Sequence, residues 1–541
     1  MGEKVRKVES KEIGSGSVAI NLFGPGMTSL HKVGLAGLWM TLKAIEDDEE
    51  AMRRLRKAGG SWERTETSVT LHWDGKPDLF FKQLFEESFK IDKNGLLWFA
   101  ALGEPANHPQ HAVVLQETVL GSFLQHGQTR KADKAQEPRG NISVRVDESP
   151  LVLRFRKLTW YAHQDSKFSP LSVNPLAGWH FPGGVVRHVG LGQDSTALEE
   201  PPERALALRY APVGAIYFEL RHRGGGVRPQ YALVLPEIRN LETYARARAS
   251  FLKFGAKQLY ASGTAEAGLR VLSELHAAGM LEDIGSAFCR VISFGIVPWS
   301  KQQKTRVEIF TVQVGSESAL RTFALCRQFF EPRLVKPQEG NPFWDVPQVP
   351  DLVALNLSEG RQWWDGFADF VSDQERRDHV FGYMRDKKTN KVVRMLQGEK
   401  GGLAKMVENE QALPNGPERM FVMACHEALR RHMGKKFARP GGADWGNEFE
   451  KVRVSIARCK NATTFRESIT DFWARGGSLH KGEDTLLKAN ASWWQDVMPL
   501  LDEKNWRKAK DLALLALASY PGTKDELGVK AANQTAAKGG K

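Results

Sequence analysis

The patterning of this 541-residue chain changes in kind near residue 330, and that change constrains its fold more than any single motif does. Upstream, apolar residues recur with two periods, every second position for half-buried strands and every third or fourth for helices. Between residues 330 and 357 the sequence EPRLVKPQEGNPFWDVPQVPDL is rich in proline and loses both periods, which predicts a boundary. From residue 361 only the helical period remains. A chain of this length holds roughly two or three domains. The expected fold class is α+β: a mixed α/β domain with β-hairpins over residues 1–330, a proline-rich linker over 331–360, and an all-α helical bundle over 361–520. Residues 521–541 collapse to glycine, alanine, lysine and threonine, a composition that predicts a disordered tail.

Residues 17–23 (SVAINLF) read as a strand broken by Gly24, Pro25 and Gly26. Thr28 or Ser29 then caps a helix with Leu35, Leu38, Leu42 and Ile45 on one face. Val69, Leu71 and Trp73 alternate as a strand, residues 78–91 read as a helix and 96–101 as a buried strand. Ile142, Val144 and Val146 alternate, residues 148–150 turn, and Leu151, Leu153 and Phe155 alternate again, which predicts a hairpin. A second hairpin pairs residues 213–220 with 231–235 across the tip RHRGGGVRP. Helical signal follows over 240–280, and a further strand pair brackets the turn VPWSKQQKTR at 297–306.

The net charge of +12 on a chain that is 41% hydrophobic, with fifteen tryptophans, describes a globular protein that meets a polyanion. Three basic segments lie on the mixed domain. The first, GSFLQHGQTRKADKAQEPRGNISVR at 121–145, supplies Gln125, Gln128, Arg130, Lys131, Lys134, Arg139 and Asn141, residue types that pair with phosphates and base edges. The second is the glycine tip with Arg221, Arg223 and Arg228, a cationic finger. The third sets Trp299 among Lys301, Gln302, Gln303, Lys304 and Arg306, a composition that stacks bases and holds phosphates. A solvated surface is the plainer reading of any one segment, and three on one domain favour nucleic-acid contact.

The bundle is basic as well: residues 381–520 hold 25 lysines and arginines against 17 aspartates and glutamates. Pro417 and Gly434 bracket a helix with Phe421, Ala424, Cys425, Ala428 and Leu429 inward and Arg430 and Arg431 outward. Thr464 and Glu467 form a capping box ahead of Phe465, Ile469, Phe472 and Trp473, and Gly476 and Gly477 end that helix. Phe449, Val452, Ile456 and Cys459 make another stripe, as do Trp506, Ala509, Ala513, Leu517 and Tyr520. The polar face carries Lys435, Lys436, Arg439, Lys451, Arg453, Arg458 and Lys460. Trp363, Trp364, Phe367 and Phe370 have core spacing rather than that of a base-stacking platform.

Catalytic signatures are missing. There is no GxxxxGK[ST] loop, no histidine followed by aspartate, and His426-Glu427 continues without the second histidine of a zinc protease. GSGSVA precedes a strand instead of following one, so it reads as a turn and not as a dinucleotide fingerprint. His108 and His111 in NHPQH read as a surface turn ahead of a metal pair. Cys289, Cys326, Cys425 and Cys459 form no CxxC pair, which argues against structural zinc and disulfides. No apolar run reaches membrane-spanning length and the N-terminus is too charged for a signal peptide, so the expected compartment is the cytoplasm. No catalytic residue, metal or cofactor is expected.

INLFGPGMTSLHKVGLAGLWMTLKAIE at 20–46, followed by FLQHGQTRK at 123–131, resembles the large subunit of type I CRISPR surveillance complexes (Cascade), in the variant called Myxan or developmental-type. The resemblance extends in order and character over most of the chain and rests on diffuse segments. It implies a non-catalytic subunit that recognises the protospacer-adjacent motif in duplex DNA, helps open it, and binds the displaced strand along a C-terminal bundle; the protein would read a short motif while guide pairing reads the sequence. Guide RNA, target double-stranded DNA, the Cascade backbone and small subunits, and a helicase-nuclease or transposition adaptor are the implied partners. The resemblance also implies a small subunit made by internal translation; GEKGGLAKM at 398–406 permits codons with a purine-rich ribosome-binding sequence ahead of Met406, and Met395, Met420 and Met423 stay open as starts. It transfers no recognition residue by position, and a stand-alone single-strand nucleic-acid binder remains the competing reading.

Overall fold

The computed structural model describes residues 15–131, 137–146, 149–183, 189–190, 197–220, 230–281, 287–297, 304–335, 343–385, 392–395, 399–437, 445–476 and 495–521. The chain divides into two units, one of residues 1–314 and 332–344, the other of 315–331 and 345–541.

In the first unit, strand β1 (Gly16–Asn21), helices α1 (Ser29–Glu46) and α2 (Glu49–Lys57), and strands β2 (Gly60–Arg64) and β3 (Ser68–Trp73) build a three-stranded antiparallel sheet in the order β1-β3-β2. Helix α3 (Pro77–Ser88), the strand pair β4 (Phe89–Ile91) and β5 (Leu97–Phe99), and α4 (Pro109–Ser122) lead to a hairpin of β6 (Arg139–Val146) and β7 (Ser149–Arg156). The pair β8 (Asn174–Pro175) and β9 (Glu199–Glu200) precedes α5 (Pro202–Gly214). A five-stranded sheet follows, in the order β12-β10-β11-β13-β14, from β10 (Ile216–Leu220), β11 (Gln230–Pro236), β12 (Tyr260–Ala261), β13 (Phe288–Val297) and β14 (Lys304–Gln313). Its neighbours are antiparallel except β10 and β12, and α6 (Leu241–Leu252), α7 (Ala256–Leu259) and α8 (Thr264–Ala277) connect its strands.

Helix α1 is the axis of this unit. Leu35, Leu38, Leu42 and Ile45 are buried against Val69, Leu71, Phe80 and Phe85, as their spacing predicts. The opposite face is buried too, because glycines let α1 touch α5 backbone to backbone. A Cβ on Gly34 would overlap the Ala207 carbonyl, one on Gly37 would lie 2.8 Å from the Gly214 nitrogen, and one on Gly214 would overlap the Val33 carbonyl. Arg209 of α5 lies 3.8 Å from the centre of the Phe85 ring and donates to the Lys167 carbonyl at 2.9 Å, so a fully enclosed guanidinium keeps its bonds. Arg248 of α6 is also fully buried, and none of its three side-chain nitrogens finds an acceptor among the described residues.

The second unit contains α9 (Glu317–Phe329), and the short pair β15 (Arg333–Val335) and β16 (Phe343–Asp345) follows that helix in the chain. Next come α10 (Val349–Ser358), α11 (Phe367–Phe370), α12 (Gln374–Phe381), the small hairpin β17 (Tyr383–Arg385) and β18 (Val392–Met395), α13 (Lys400–Glu408), α14 (Pro417–Phe437), α15 (Trp445–Ala457), α16 (Ala462–Arg475) and α17 (Trp506–Ser519). Helix α17 is the centre of the bundle: α11, α13, α14, α15 and α16 all pack on it, and residues 511–519 are buried on every side. Even Asp511 is enclosed, accepting from the Gly366 and Ala368 backbone at 2.9 and 2.8 Å. Trp363, Trp364, Phe367 and Phe370 are core residues. His379 sits between two buried carboxylates, 2.7 Å from Glu399 and 3.0 Å from Asp345, while Glu399 also accepts from the first backbone N–H groups of α10.

Several local readings shift. Residues 349–358, inside the proline-rich stretch, are helical, because Pro350 falls in the first turn where its missing N–H removes no bond. Helix α14 continues through Gly434 to Phe437; a glycine interrupts a helix only weakly when tertiary packing continues past it. Helix α16 starts ahead of the expected capping box, since Asn461 accepts from the Thr464 nitrogen at 2.9 Å and takes the cap. His111 is buried in the first turn of α4 rather than on a surface turn.

Candidate nucleic-acid interface

Hairpin β6–β7 presents two sharply different faces. Its register pairs Arg139 with Arg156, Asn141 with Arg154, Ser143 with Val152, and Arg145 with Pro150. Strand side chains alternate between faces, so these eight share the outward face while Ile142, Val144, Leu151, Leu153 and Phe155 turn inward. Ile142, Leu153 and Phe155 pack against Leu96, Ala112 and Val113, and Gly140 lies flat under the Phe155 ring, where a Cβ would overlap.

The outward face carries four arginines and one asparagine and no carboxylate. Arg156 is spent on anchoring: its backbone N–H and guanidinium both donate to Glu117 of α4, at 2.7 and 3.0 Å. Arg139, Asn141, Arg145 and Arg154 are exposed, and their side chains make no hydrogen bond or ion pair with the described residues. Val152 is 53% exposed in their midst. The hairpin is therefore a stiff, two-stranded cationic ribbon.

The rest of the first basic segment holds the base of that ribbon. Arg130, its side chain 10% exposed, donates to Glu137 at 2.6 Å and to the carbonyls of Leu124 and Gln125. Lys131 adopts a left-handed backbone (φ 50°) that places its ammonium 4.4 Å from the centre of the Trp160 ring. Gln128 is exposed, and Gln125 donates back to the Gly121 carbonyl. Lys134 lies outside the described residues.

The second predicted finger has its stem, with Leu220 paired to Gln230, but its first strand opens at Ile216 instead of residue 213 because helix α5 runs to Gly214, and Arg221, Arg223 and Arg228 lie outside the described residues. So do Lys301, Gln302 and Gln303 of the third turn; Lys304 and Arg306 are described only as backbone, opposite Val297 and Gly295.

In the second unit the candidate cations separate into two sets. Arg431 pairs with Glu427 at 3.1 Å, Lys436 with Glu448 at 3.1 Å, Lys451 with Glu448 at 2.6 Å, and Arg453, 7% exposed, grips Glu450 through two nitrogens. The lysines beside Glu448 hold its carboxyl down at about 2. Arg430 and Lys435 on α14, and Arg458 and Lys460 after α15, are exposed and have no partner among the described residues. Arg439 lies outside them.

No group of three or more histidine, cysteine, aspartate or glutamate side chains could hold a metal ion among the described residues. The four cysteines are free and buried, and burial pushes the Cys425 thiol up to about 12. His426, pushed down to about 4 by burial, bonds to the Ala516 carbonyl at 2.9 Å and so serves the bundle. No described helix is long and apolar enough to cross a membrane.

Sequence reasoning passed over Arg145 and Arg154, although the signal was present. Once Ile142, Val144 and Val146 are assigned inward, residues 141, 143 and 145 must face out, and residues 152 and 154 follow from the partner strand.

Comparison with known proteins places two matches on the chain in order. The DevT N-terminal domain matches residues 19–209 and the DevT C-terminal domain matches residues 409–539. The CRISPR-associated protein Cas8a1/Csx13 of Myxococcus xanthus (strain DK1622) is 26% identical over 534 residues, covering 93% of this chain and 89% of that protein.

Proposed function

We propose that this chain, which belongs to the DevT family through both of its domains, is the large subunit of an RNA-guided type I CRISPR effector complex. The observation that carries this reading is the likeness to Cas8a1/Csx13 along nearly the whole of both chains. The subunit contributes binding surfaces and no reaction of its own. The first unit recognises the protospacer-adjacent motif in duplex DNA and helps open it, with Gln128, Lys131, Arg139 and Asn141 among its contacts and Arg130 holding the loop they stand on. By residue type, Lys134, Arg221, Arg223, Arg228, Lys301, Gln302, Gln303, Lys304 and Arg306 are further candidate contacts. The second unit binds the displaced strand through Arg430, Lys435, Arg458 and Lys460, with Arg439 beside them in sequence. Arg431, Lys436 and Arg453 serve it by ordering helices α14 and α15. Guide RNA, target DNA, the backbone and small subunits and a downstream helicase-nuclease or transposition adaptor are its partners.

Co-expression with a guide RNA and the neighbouring backbone proteins tests this. The expected result is a stoichiometric assembly that binds a guide-matched duplex only when the flanking motif is present. A chain that elutes alone with or without guide and backbone, and binds single strands unaided, overturns the reading in favour of a stand-alone single-strand binder.

A further inference from the structure

We infer that the outward face of hairpin β6–β7 docks as a two-stranded ribbon into a groove of double-stranded nucleic acid. The inference deepens the proposed function and rests on it for the identity of the partner. It assigns the contact to Arg139, Asn141, Arg145, Val152 and Arg154.

Three features of the ribbon point to a duplex rather than a single strand. First, the unpaired cations lie on both of its edges, Arg139 and Arg145 on β6 and Arg154 on β7. A single strand offers one line of phosphates, whereas a groove is walled by two. Second, the dimensions fit. Cross-strand rungs on one face are spaced about 7 Å apart, so the face from Arg139 to Arg145 spans about 20 Å, and a major groove about 12 Å wide admits a two-stranded ribbon. Third, the charge is absent from the middle. The Ser143–Val152 rung, small on one strand and apolar on the other, lies between rungs that carry free arginines. Arginines at the flanks reach phosphates, and a methyl-bearing side chain at the centre meets base edges, the thymine methyl above all.

Rigidity supports the same assignment. The inward face is packed, and the Arg156–Glu117 pair with the Arg130–Glu137 pair clamps the base, so the arginines are presented without ordering a loop on binding.

The test is a salt titration of the assembled complex against a short duplex unrelated to the guide and against one of its single strands. Replacing Arg139, Arg145 and Arg154 together by alanine should reduce the slope of log affinity against log salt on the duplex by about 2.7, each phosphate contact contributing about 0.9, and leave the single strand unaffected. Each single replacement should remove about 0.9, which keeps the test decisive if the triple variant misfolds. Val152→Asp should weaken duplex binding without a matching change for the single strand. An unchanged slope, or an equal loss on both substrates, overturns the ribbon. If guide-directed target binding persists while the slope stays the same, only the ribbon falls. If no assembly forms, the proposed function falls, and the titration on the free chain still decides the ribbon.

Discussion

Asn141 stands directly opposite Arg154 in the hairpin register, both exposed, which sets a side chain able to donate and accept beside one that can only donate. The two should fail differently. Asn141→Ala should keep the salt slope and relax preference at one base pair, by about 1–3 kcal/mol if the amide reads a base edge. Arg154→Ala should weaken binding to all sequences alike. Affinity measured on a panel of single-base variants at two salt concentrations separates the outcomes.

Arg130 and Arg453 read from sequence as contacts, yet each is sequestered against a carboxylate. Alanine at either position should lower stability by about 1–3 kcal/mol, since a charged, hydrogen-bonded acceptor loses its donor. The salt slope of DNA binding should not move. Thermal melting alongside the titration checks both halves.

Gly34→Val should be among the most damaging substitutions in the chain. Its Cβ has no space beside the Ala207 carbonyl, so α1 and α5 must separate. A loss of about 3 kcal/mol or more, or failure to accumulate folded protein, is expected. A surface control such as Gly434→Ala, in a helix and with open space where the Cβ would stand, should cost far less.

Arg248→Met should stabilise the first unit. A buried guanidinium without an acceptor is costly, and an apolar side chain of similar length removes that cost; a gain of about 1–4 kcal/mol is expected. A lower melting temperature would refute this.

Acid should destabilise the first unit through buried histidines. Burial holds His111 and His163 well below their ordinary range and His180 at about 3. All three stay neutral when folded and bind protons when unfolded, so their contribution is complete above 6.5 and is lost as pH falls. Together they should steepen the loss to about 4 kcal/mol per pH unit below 6. Asp511 in the second unit has the opposite sign. Burial raises it from 3.8 to about 6, so its contribution is complete below 3.8 and vanishes as pH rises through 6. Asp511→Asn should therefore gain on the wild type between pH 4 and 7. Denaturant melts across that range measure each slope.

Much of the fold was legible. The strands of β6–β7 fall where alternation puts them because one face of a hairpin must be buried, and burial writes a period of two into the residues. The core face of α1 was legible for the same reason. Its other face was not: Gly34 and Gly37 look like weak helix formers until α5 arrives with Gly214. Helix α17 read as a one-sided stripe, while its position at the bundle centre comes from five helices remote in sequence.

The amino-acid order alone determined the kinds of elements, the mixed and helical halves, and the excess of positive charge, because each is a local property of composition and period. Which cations stay free was decided by tertiary structure. Arg156 is anchored to Glu117 of another element, whereas Arg154, two residues earlier, meets no carboxylate among the described residues. Neutralisation depends on distance in space, falling within a few ångströms for a paired group, and folding alone sets that distance.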